Sequence, residues 1–311
     1  MPPLTEIVQR MLQTEWNHGP PSLIVEMGSF FVSFIKQIMG GHDMDAQEKY
    51  EKLQQILQNM QSVVIALSGG VDSTFLSYAA HLVLGGNAIA ITAVSPTFPK
   101  REEKDAKKMA REIGIQHLLV QTAEFDNDDF VKNPQNRCYI CKKIRFESLV
   151  KWAKENDYKW VIDGGNVDDL DDYRPGMKAL QELDIVRSPM IEAGLQKKDI
   201  RQLSKYVGLS TWNKQSAACL ASRFPYGIPL IPKKLAMVEQ AEEFLIPLLQ
   251  GGNLRVRYHD GGARIEVDQS NMNIVWENKD SIDQTLKQYG FHYVALDLAG
   301  YRMGSLNIID T

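Results

Sequence analysis

Three cysteines are the side chains of this sequence best suited to hold a metal or to exchange sulfur. Cys138 and Cys141 are separated by two residues within 136–143, and Cys219 stands in a stretch of small and polar residues, 216–227. A C-x-x-C pair at a helix start suits metal chelation or redox exchange, with a buried structural pair as the alternative. We expect the helix N-terminus and nearby lysines to lower the thiol pKa values. A lone cysteine is usually a small core residue, but the loop-like neighbours of Cys219 favour a functional role.

A second stretch with chemical potential is Ser-Gly-Gly-Val-Asp-Ser, residues 68–73. It follows a short apolar run and precedes a helical apolar pattern, which predicts a tight turn between a strand and a helix. Glycines let the backbone approach a ligand closely, and the free amides at a helix start favour an anion. The loop contains no lysine, so it is not a Walker A motif. An ordinary Gly-Gly turn is the alternative, but the full string is more specific than that.

This loop resembles the pyrophosphate loop of the ATP pyrophosphatases, which bind ATP and release pyrophosphate while adenylating a substrate. The resemblance implies that the loop amides hold the ATP phosphates together with Ser68 and Ser73. It also implies that Asp72 is the acid associated with Mg²⁺. ATP and Mg²⁺ are therefore expected cofactors.

Alternating strand and helix patterns place this loop in a larger fold. The predicted strands after the loop are 88–94, 117–122 and 160–164, and the predicted helices are 45–60, 102–113, 141–156 and 198–207. Repeated βα units imply an α/β fold, a parallel sheet with helices on both faces. Ligands bind beyond the carboxyl ends of such strands, so the strand ends should converge on one nucleotide crevice. The expected nucleotide-binding residues are Ser68, Gly69, Gly70, Val71, Ser73, Thr92, Val94, Gly164 and Asn166.

Arg101 and an acidic stretch are further candidates beside this crevice. Arg101 opens a predicted helix, where it can reach a phosphate or a substrate carboxylate, or remain a solvated charge next to Lys100. Five acids fall within residues 163–172. They can coordinate Mg²⁺ or simply solvate a loop.

The C-terminal part has a different pattern, which predicts a small α+β domain. A helix at 233–249, strands at 254–258 and 263–267, a helix at 280–289 and a strand at 293–298 follow in that order. Arg255 and Arg257 alternate along one strand, so both guanidiniums leave the same face. These two arginines can clamp a phosphate, and Arg302 can join them at the same anion site. The alternative is that they form the polar outer face of a half-buried strand.

Length and composition limit the domain number and the function classes. The 311 residues suffice for two domains, and we predict an N-terminal extension at 1–43, a nucleotide domain at 44–215 and a substrate domain at 216–311. The alternative for 1–43 is a helical arm that packs on a neighbour.

The net charge of −4 disfavours nucleic acid as the main partner. No run of about 18 apolar residues predicts a membrane span. Three cysteines favour a reducing cytoplasm over a secreted disulfide framework, and we expect a homo-oligomer.

Residues 62–307 are similar to one branch of the ATP pyrophosphatases, the sulfurtransferases that act on pyridinium-3,5-biscarboxylic acid mononucleotide. That branch helps to build the nickel-pincer nucleotide cofactor of lactate racemase. The pyrophosphate loop alone indicates only the superfamily, whereas Cys-Leu-Ala-Ser-Arg-Phe-Pro-Tyr-Gly, Arg-Val-Arg and Gly-Tyr-Arg-Met-Gly-Ser narrow the resemblance. It implies that ATP adenylates a substrate carboxylate and that sulfur then attacks the acyl-adenylate. AMP is released, and the product is a thiocarboxylate.

The resemblance allows two sources of sulfur. In one type of the family, a cysteine at the position of Cys219 gives up its own sulfur and becomes dehydroalanine. In the other type, three cysteines hold a [4Fe-4S] cluster whose open iron carries an extra sulfide. This sequence has Cys138, Cys141 and Cys219 and no further cysteine, which favours the cluster and requires a sulfide or another sulfur donor to reload it. A zinc site completed by His259 is an alternative, but it offers no sulfur.

The resemblance also implies roles for the remaining candidates. Asp72 and Arg101 join Cys219 as catalytic residues, and Glu243 is a polar active-site residue. The expected ligands of the substrate phosphate are Ser222, Arg255, Arg257 and Arg302.

Three other functions compete with this interpretation. A tRNA-thiolating enzyme uses the same loop and sometimes the same cluster, but it generally carries an RNA-binding or zinc-binding module and a basic surface. A ligase of the NAD⁺ synthetase type leaves the C-x-x-C pair unexplained. A nucleotide sensor without catalysis needs neither Cys219 nor the arginines.

Overall fold

The computed structural model describes residues 44–170 and 175–304. The predicted extension at 1–43 lies outside these residues, as do Asp171 and Asp172 of the acidic stretch. No helix in the described ranges is long and apolar enough to cross a membrane.

The N-terminal part is built on a five-stranded parallel sheet with the strand order β3-β2-β1-β4-β5. Its strands are β1 (Val63–Ala66), β2 (Ala88–Val94), β3 (Gln116–Gln121), β4 (Trp160–Ile162) and β5 (Val186–Arg187). The helices are α1 (Met44–Met60), α2 (Val71–Leu84), α3 (Lys100–Ile113), α4 (Asp128–Val131), α5 (Arg137–Glu155), α6 (Pro175–Gln181), α7 (Pro189–Ala193) and α8 (Lys197–Tyr206). The predicted α/β fold is confirmed, although the two-residue strand β5 and the short helices α4, α6 and α7 carry too little pattern to be predicted.

Alternate residues of β1 explain why helices cover both faces of this sheet. Val63 and Ile65 pack with Phe75 in a core that α1, α2 and α8 share. Val64 points the other way and packs with Leu149 in a core under α5 and α6. A central parallel strand must bury both of its faces, and an uninterrupted apolar run does so.

The C-terminal part has its own core and a three-stranded sheet. The elements are α9 (Pro232–Leu245), β6 (Leu254–His259), β7 (Gly262–Val267), α10 (Gln269–Glu277), α11 (Lys279–Gln288) and β8 (Val294–Leu296). β6 pairs antiparallel with β7, and β7 pairs parallel with β8. The predicted α-β-β-α-β order was wrong because it omitted α10. That helix buries only Asn271 and Val275, so it shows no apolar stripe in the sequence.

Candidate active site

The loop between β1 and α2 is held in shape by its two serines. The Ser68 and Ser73 hydroxyls are 3.0 Å apart, and the Ser68 N–H donates to the Ser73 hydroxyl at 3.1 Å. Gly69 has a φ of +75°, a conformation that glycine adopts without strain. Gly70 stands in extended conformation directly before α2. The free amides at the start of α2 therefore lie in a preformed turn, the geometry that favours an anion.

Gly69 is expected to tolerate no side chain. An added Cβ would lie 3.1 Å from the Ala106 backbone nitrogen and 3.3 Å from the Glu102 carbonyl oxygen, both in α3. We therefore expect Gly69→Ala to lower the free energy of unfolding by about 1–3 kcal/mol for the strained φ alone, with a further loss from this crowding. Urea unfolding tests this expectation. Gly194→Ala is the control, because Gly194 has a φ of +81° and open space around its Cβ position. Equal losses for the two variants would contradict the crowding argument.

The strand ends that were predicted to converge lie against the loop. A Cβ at Gly164 would be 3.0 Å from the Ser73 nitrogen, so the segment after β4 touches the start of α2. Thr92 is buried and donates its hydroxyl to the Leu67 carbonyl at 2.7 Å, which ties β2 to the end of β1. Asn166 is also buried, and its side chain bonds to the acidic segment that follows it. The binding roles of these residues remain predictions.

Val71 and Val94 are the two apolar members of the predicted nucleotide set. Both are buried. Val71 is the first residue of α2, and the Val94 carbonyl accepts the Thr122 N–H at 3.0 Å. Each of them can therefore meet a nucleotide only through its remaining backbone surface.

Protonation of two half-buried histidines is expected to weaken the sheet domain at low pH. His117 contacts the Thr92 hydroxyl at 2.8 Å, and burial lowers the pKa of both His117 and His81 from 6.5. The unfolded chain therefore binds more protons than the folded chain below pH 6.5, so stability falls as the pH drops through that value. Urea unfolding between pH 7.5 and pH 5.5 should show this slope, and His117→Gln should reduce it. His259→Gln, at an exposed position, should keep the wild-type slope; an unchanged slope in His117→Gln would refute the account.

Asp72 carries an unsatisfied carboxylate oxygen. Its Oδ2 pairs with Lys197 Nζ, whereas its buried Oδ1 has no hydrogen-bond partner within the described residues. Burial raises the pKa of the Asp72 carboxyl, and the Lys197 ammonium opposes this shift. An oxygen in this state fits a hard divalent cation such as Mg²⁺, which prefers carboxylate ligands.

Two lysines at this site were missed by sequence reasoning. Lys197 opens α8 and meets Asp72, and Lys214 donates to the Gly69 carbonyl at 3.1 Å. Lys214 also pairs with Glu102 at 2.8 Å and Asp105 at 2.6 Å. Both lysines are more than a hundred residues from the loop that they contact. No local pattern marks such partners, because only the folded chain brings them together.

A cavity of about 240 Å³ joins the two parts of the protein. On one side it is lined by Arg101 and Lys214, and on the other by Arg255 and Glu243. Residues 215–218, which lead directly to Cys219, form part of its wall. Arg101 is half exposed, with its guanidinium 3.7 Å from the Glu102 carboxylate. The cavity therefore brings both cationic and acidic side chains beside the loop that carries the third cysteine; the acidic ones are Glu102, Asp105, Glu239, Glu242 and Glu243.

The three cysteines lie in one region of the structure, although Cys219 is 78 residues beyond Cys141 in the sequence. Cys138 and Cys141 lie in the first turns of α5, and Cys219 precedes a short 3₁₀ turn. The Leu220 N–H donates to the Thr97 carbonyl at 2.9 Å, which holds the Cys219 loop at the end of β2. The thiols are close enough to influence each other electrostatically, since each of the other two contributes to the raised pKa of Cys141.

The expectation that these thiols have lowered pKa values was wrong. Burial raises the pKa of Cys141 to about 12, against a weaker opposing effect of the Arg145 guanidinium. The pKa of Cys138 is also raised, first by desolvation of its sulfur and then by Cys219. Loss of hydration outweighs the helix N-terminus and the nearby cations. As free thiols these groups favour the protonated state.

The thiol region contains no preformed metal-ion site within the described residues, and the cluster remains a prediction. In the described part of the chain, no three His, Cys, Asp or Glu side chains converge closely enough to bind one metal ion. A cubane attaches each thiolate to a different iron, so its ligands need not converge on one point. The buried Glu124 carboxylate and Arg145 lie next to Cys141, with Glu124 Oε1 3.8 Å from the Cys141 sulfur. His259, the ligand of the zinc alternative, is at the exposed end of β6, 3.6 Å from Asp260.

The predicted phosphate ligands occupy different environments. Arg255 lines the cavity, and its role as a phosphate ligand remains a prediction. Arg257 is buried and pairs with Glu266 at 2.9 Å, and Arg302 is 3.7 Å from Asp297. The Ser222 hydroxyl donates to the Cys219 carbonyl at 2.8 Å and so supports the cysteine loop. Of these four, Arg255 alone lines the cavity.

The buried pair of Arg257 and Glu266 is expected to matter for folding. Glu266 is fully buried, and it also accepts Arg264 at 3.0 Å. Glu266→Gln leaves buried guanidinium charge without its carboxylate, so we expect it to lower the free energy of unfolding by about 3–5 kcal/mol. Asp283→Asn breaks the exposed pair with Lys287 and should cost about 0–0.5 kcal/mol. Denaturant unfolding of both variants tests this, and similar losses would contradict it.

The sequence of this chain is similar to one family model and to several known proteins. The family model described as NAD synthase matches residues 46–161. An uncharacterized protein of Synechocystis is 44% identical over 85% of this chain and 99% of its own length. Pyridinium-3,5-bisthiocarboxylic acid mononucleotide synthase of Lactiplantibacillus plantarum is 37% identical over 81% of this chain and 91% of its own length. A tRNA-specific 2-thiouridylase of Bacteroides fragilis is 27% identical, but over only 34% of this chain and 31% of that enzyme.

Proposed function

Because the chain belongs to the family of the pyridinium-3,5-bisthiocarboxylic acid mononucleotide synthases, we propose that it converts a carboxylate of pyridinium-3,5-biscarboxylic acid mononucleotide to a thiocarboxylate. It is an enzyme, an ATP-dependent sulfurtransferase. The tRNA-thiolating alternative has weaker support, because its relative covers about a third of the chain. In this proposal the product serves the synthesis of the nickel-pincer nucleotide.

The cavity is the observation that carries the proposal. One wall is formed by Lys214, which also contacts the Gly69 carbonyl of the phosphate loop. Another part of the wall runs through Ala218, next to Cys219, and a third part contains Arg255 of β6. A substrate in this cavity can contact Lys214, which binds the nucleotide loop, the residues before Cys219, and Arg255 at the same time. Adenylation and sulfur attack both require such proximity.

In the first step a substrate carboxylate oxygen attacks the α-phosphorus of ATP, and pyrophosphate leaves. The amides at the start of α2 and the hydroxyls of Ser68 and Ser73 bind the phosphates. The Asp72 carboxylate, whose Oδ1 has no partner within the described residues, would hold Mg²⁺, which would offset the charge of the leaving pyrophosphate. Arg101 lies at the cavity wall, where its guanidinium orients the substrate carboxylate toward ATP.

In the second step a sulfur nucleophile attacks the acyl carbon, a C–S bond forms, and the C–O bond to AMP breaks. Cys138, Cys141 and Cys219 would hold a [4Fe-4S] cluster, which supplies a replaceable sulfide when it is bound. Arg145 and Arg223 lie near the cysteines, and each is also paired with a carboxylate, Arg145 with Glu124 and Arg223 with Glu242. Arg255 holds the substrate phosphate so that the acyl carbon faces the Cys219 loop.

Pyrophosphate release under anaerobic conditions tests the function. After reconstitution with iron and sulfide, the protein should release pyrophosphate from ATP only when the pyridinium mononucleotide is present. The product should gain the mass expected for replacing one carboxylate oxygen by sulfur. Release that depends on tRNA instead would overturn the proposal in favour of a tRNA thiolase. Binding of ATP without any pyrophosphate release would indicate a sensor.

Iron content and the visible spectrum test the cluster separately. The reconstituted protein should contain about four irons per chain and show a broad brown absorbance, and Cys138→Ala should lose both. Absence of bound iron in the anaerobic wild-type protein would remove the cluster from the proposal without affecting the adenylation step.

A further inference from the structure

The charged groups of the cavity differ in whether a carboxylate already neutralises them. Lys214 pairs with Glu102 and Asp105, and Arg223 forms two 2.9 Å hydrogen bonds to Glu242. For the Arg255 guanidinium, the described residues provide no carboxylate within ion-pair distance; one of its nitrogens donates to the Leu254 carbonyl at 2.7 Å.

Instead of a carboxylate, Arg255 has an aromatic ring against it. Its guanidinium carbon lies 5.3 Å from the centroid of the Tyr301 ring. Tyr301 is half buried and is not among the residues that line the cavity, so it supports Arg255 without facing the cavity itself. A guanidinium on a ring face keeps its N–H edge clear of the ring, and the donors of Arg255 that the Leu254 carbonyl does not take remain for a phosphate, which can accept two of them.

The turn that carries Tyr301 is fixed to β7. The Tyr301 N–H donates to the Val267 carbonyl at 2.9 Å, and the Gly300 N–H donates to the Asp297 carbonyl at 3.0 Å. Gly300 has a φ of +68°, and a Cβ there would lie 2.8 Å from the Val267 carbonyl oxygen. Glycine at this position therefore permits the close approach that places the ring under Arg255.

We propose that Tyr301 is a positioning residue that holds the Arg255 guanidinium ready for the 5′-phosphate of the mononucleotide substrate. The proposal rests on the proposed function, in which Arg255 binds that phosphate. A long arginine side chain that is already ordered loses less conformational entropy on binding. Tyr301 thereby contributes to the preference for a mononucleotide over the corresponding riboside.

Calorimetric binding of two probes tests this role. The probes are pyridinium-3,5-biscarboxylic acid mononucleotide and its riboside, which lacks the phosphate. Tyr301→Leu removes the ring face but keeps an apolar side chain, and we expect it to weaken mononucleotide binding by about 3- to 30-fold while riboside binding is unchanged. Tyr301→Phe retains the ring face and should bind both probes as the wild type does.

The outcomes separate this inference from the function on which it rests. If wild type binds mononucleotide and riboside equally, the phosphate role of Arg255 fails, and this inference fails with it. If wild type prefers the mononucleotide but Tyr301→Leu keeps that preference, only the role of Tyr301 is overturned. An equal loss in Tyr301→Phe and Tyr301→Leu also overturns it, because the hydroxyl rather than the ring face would then matter. Circular dichroism of each variant verifies that the fold is intact.

Discussion

Cys219→Ser is expected to reduce thiocarboxylate formation by about 10³-fold or more while substrate-dependent pyrophosphate release persists. The loop should keep its shape, because the backbone carbonyl of Cys219, not its thiol, accepts from Ser222 at 2.8 Å and from Arg223 at 3.0 Å. Adenylation depends on the phosphate loop and is therefore separable from sulfur transfer. Pyrophosphate release and product mass, measured in the same reaction, provide the two readouts.

Cys138→Ser is the matched variant for this experiment. If the three thiols together supply the sulfur, Cys138→Ser loses thiocarboxylate formation as completely as Cys219→Ser does. If Cys219 alone gives up its sulfur, Cys138→Ser still forms one thiocarboxylate per chain. Thiocarboxylate formation by Cys219→Ser at the wild-type rate would remove this cysteine from the mechanism altogether.

Asp72→Asn is expected to slow pyrophosphate release by about 10²- to 10³-fold, because the amide is a far poorer ligand for Mg²⁺ than the carboxylate. The buried Oδ1 of Asp72 has no partner in the described ranges, so it is the oxygen available to the metal. Raising the Mg²⁺ concentration should recover part of the lost rate. Steady-state pyrophosphate release as a function of Mg²⁺ concentration measures both effects.

Asp129→Asn serves as the control for the same chemical change. Asp129 is exposed on α4 and pairs with Lys132 at 3.0 Å. This variant should release pyrophosphate at the wild-type rate. A wild-type rate in Asp72→Asn as well would show that the carboxylate does not act with the metal.

The elements around the phosphate loop were predictable because their signals are local. The apolar run at β1, the glycines and the helical pattern of α2 follow each other within about twenty residues, and the structure has them in that order. The alternation of apolar runs with helical patterns likewise made the parallel sheet predictable. Helix α10 escaped prediction because its buried face consists of Asn271 and Val275, which form no apolar stripe.

The partners of the candidate site were less predictable than its position. The contact of Lys197 with Asp72 joins residues 125 positions apart, and no spacing rule anticipates it. The alternation of Arg255 and Arg257 indicated that both leave the same face of the strand. It did not indicate that Glu266 pairs with Arg257 and not with Arg255. The thiol pKa values depend on burial, which the sequence around Cys141 does not reveal. Long-range pairing and desolvation are properties of the folded chain.

The number of thiocarboxylates formed per protein chain tests the central claim most directly. The reconstituted protein is incubated anaerobically with ATP, the pyridinium mononucleotide and sulfide, and both the product and the intact protein are measured by mass spectrometry. Sulfur transfer through the three cysteines predicts several products per chain and a protein mass that retains all three sulfur atoms. At most one product per chain, together with conversion of Cys219 to dehydroalanine, would contradict it.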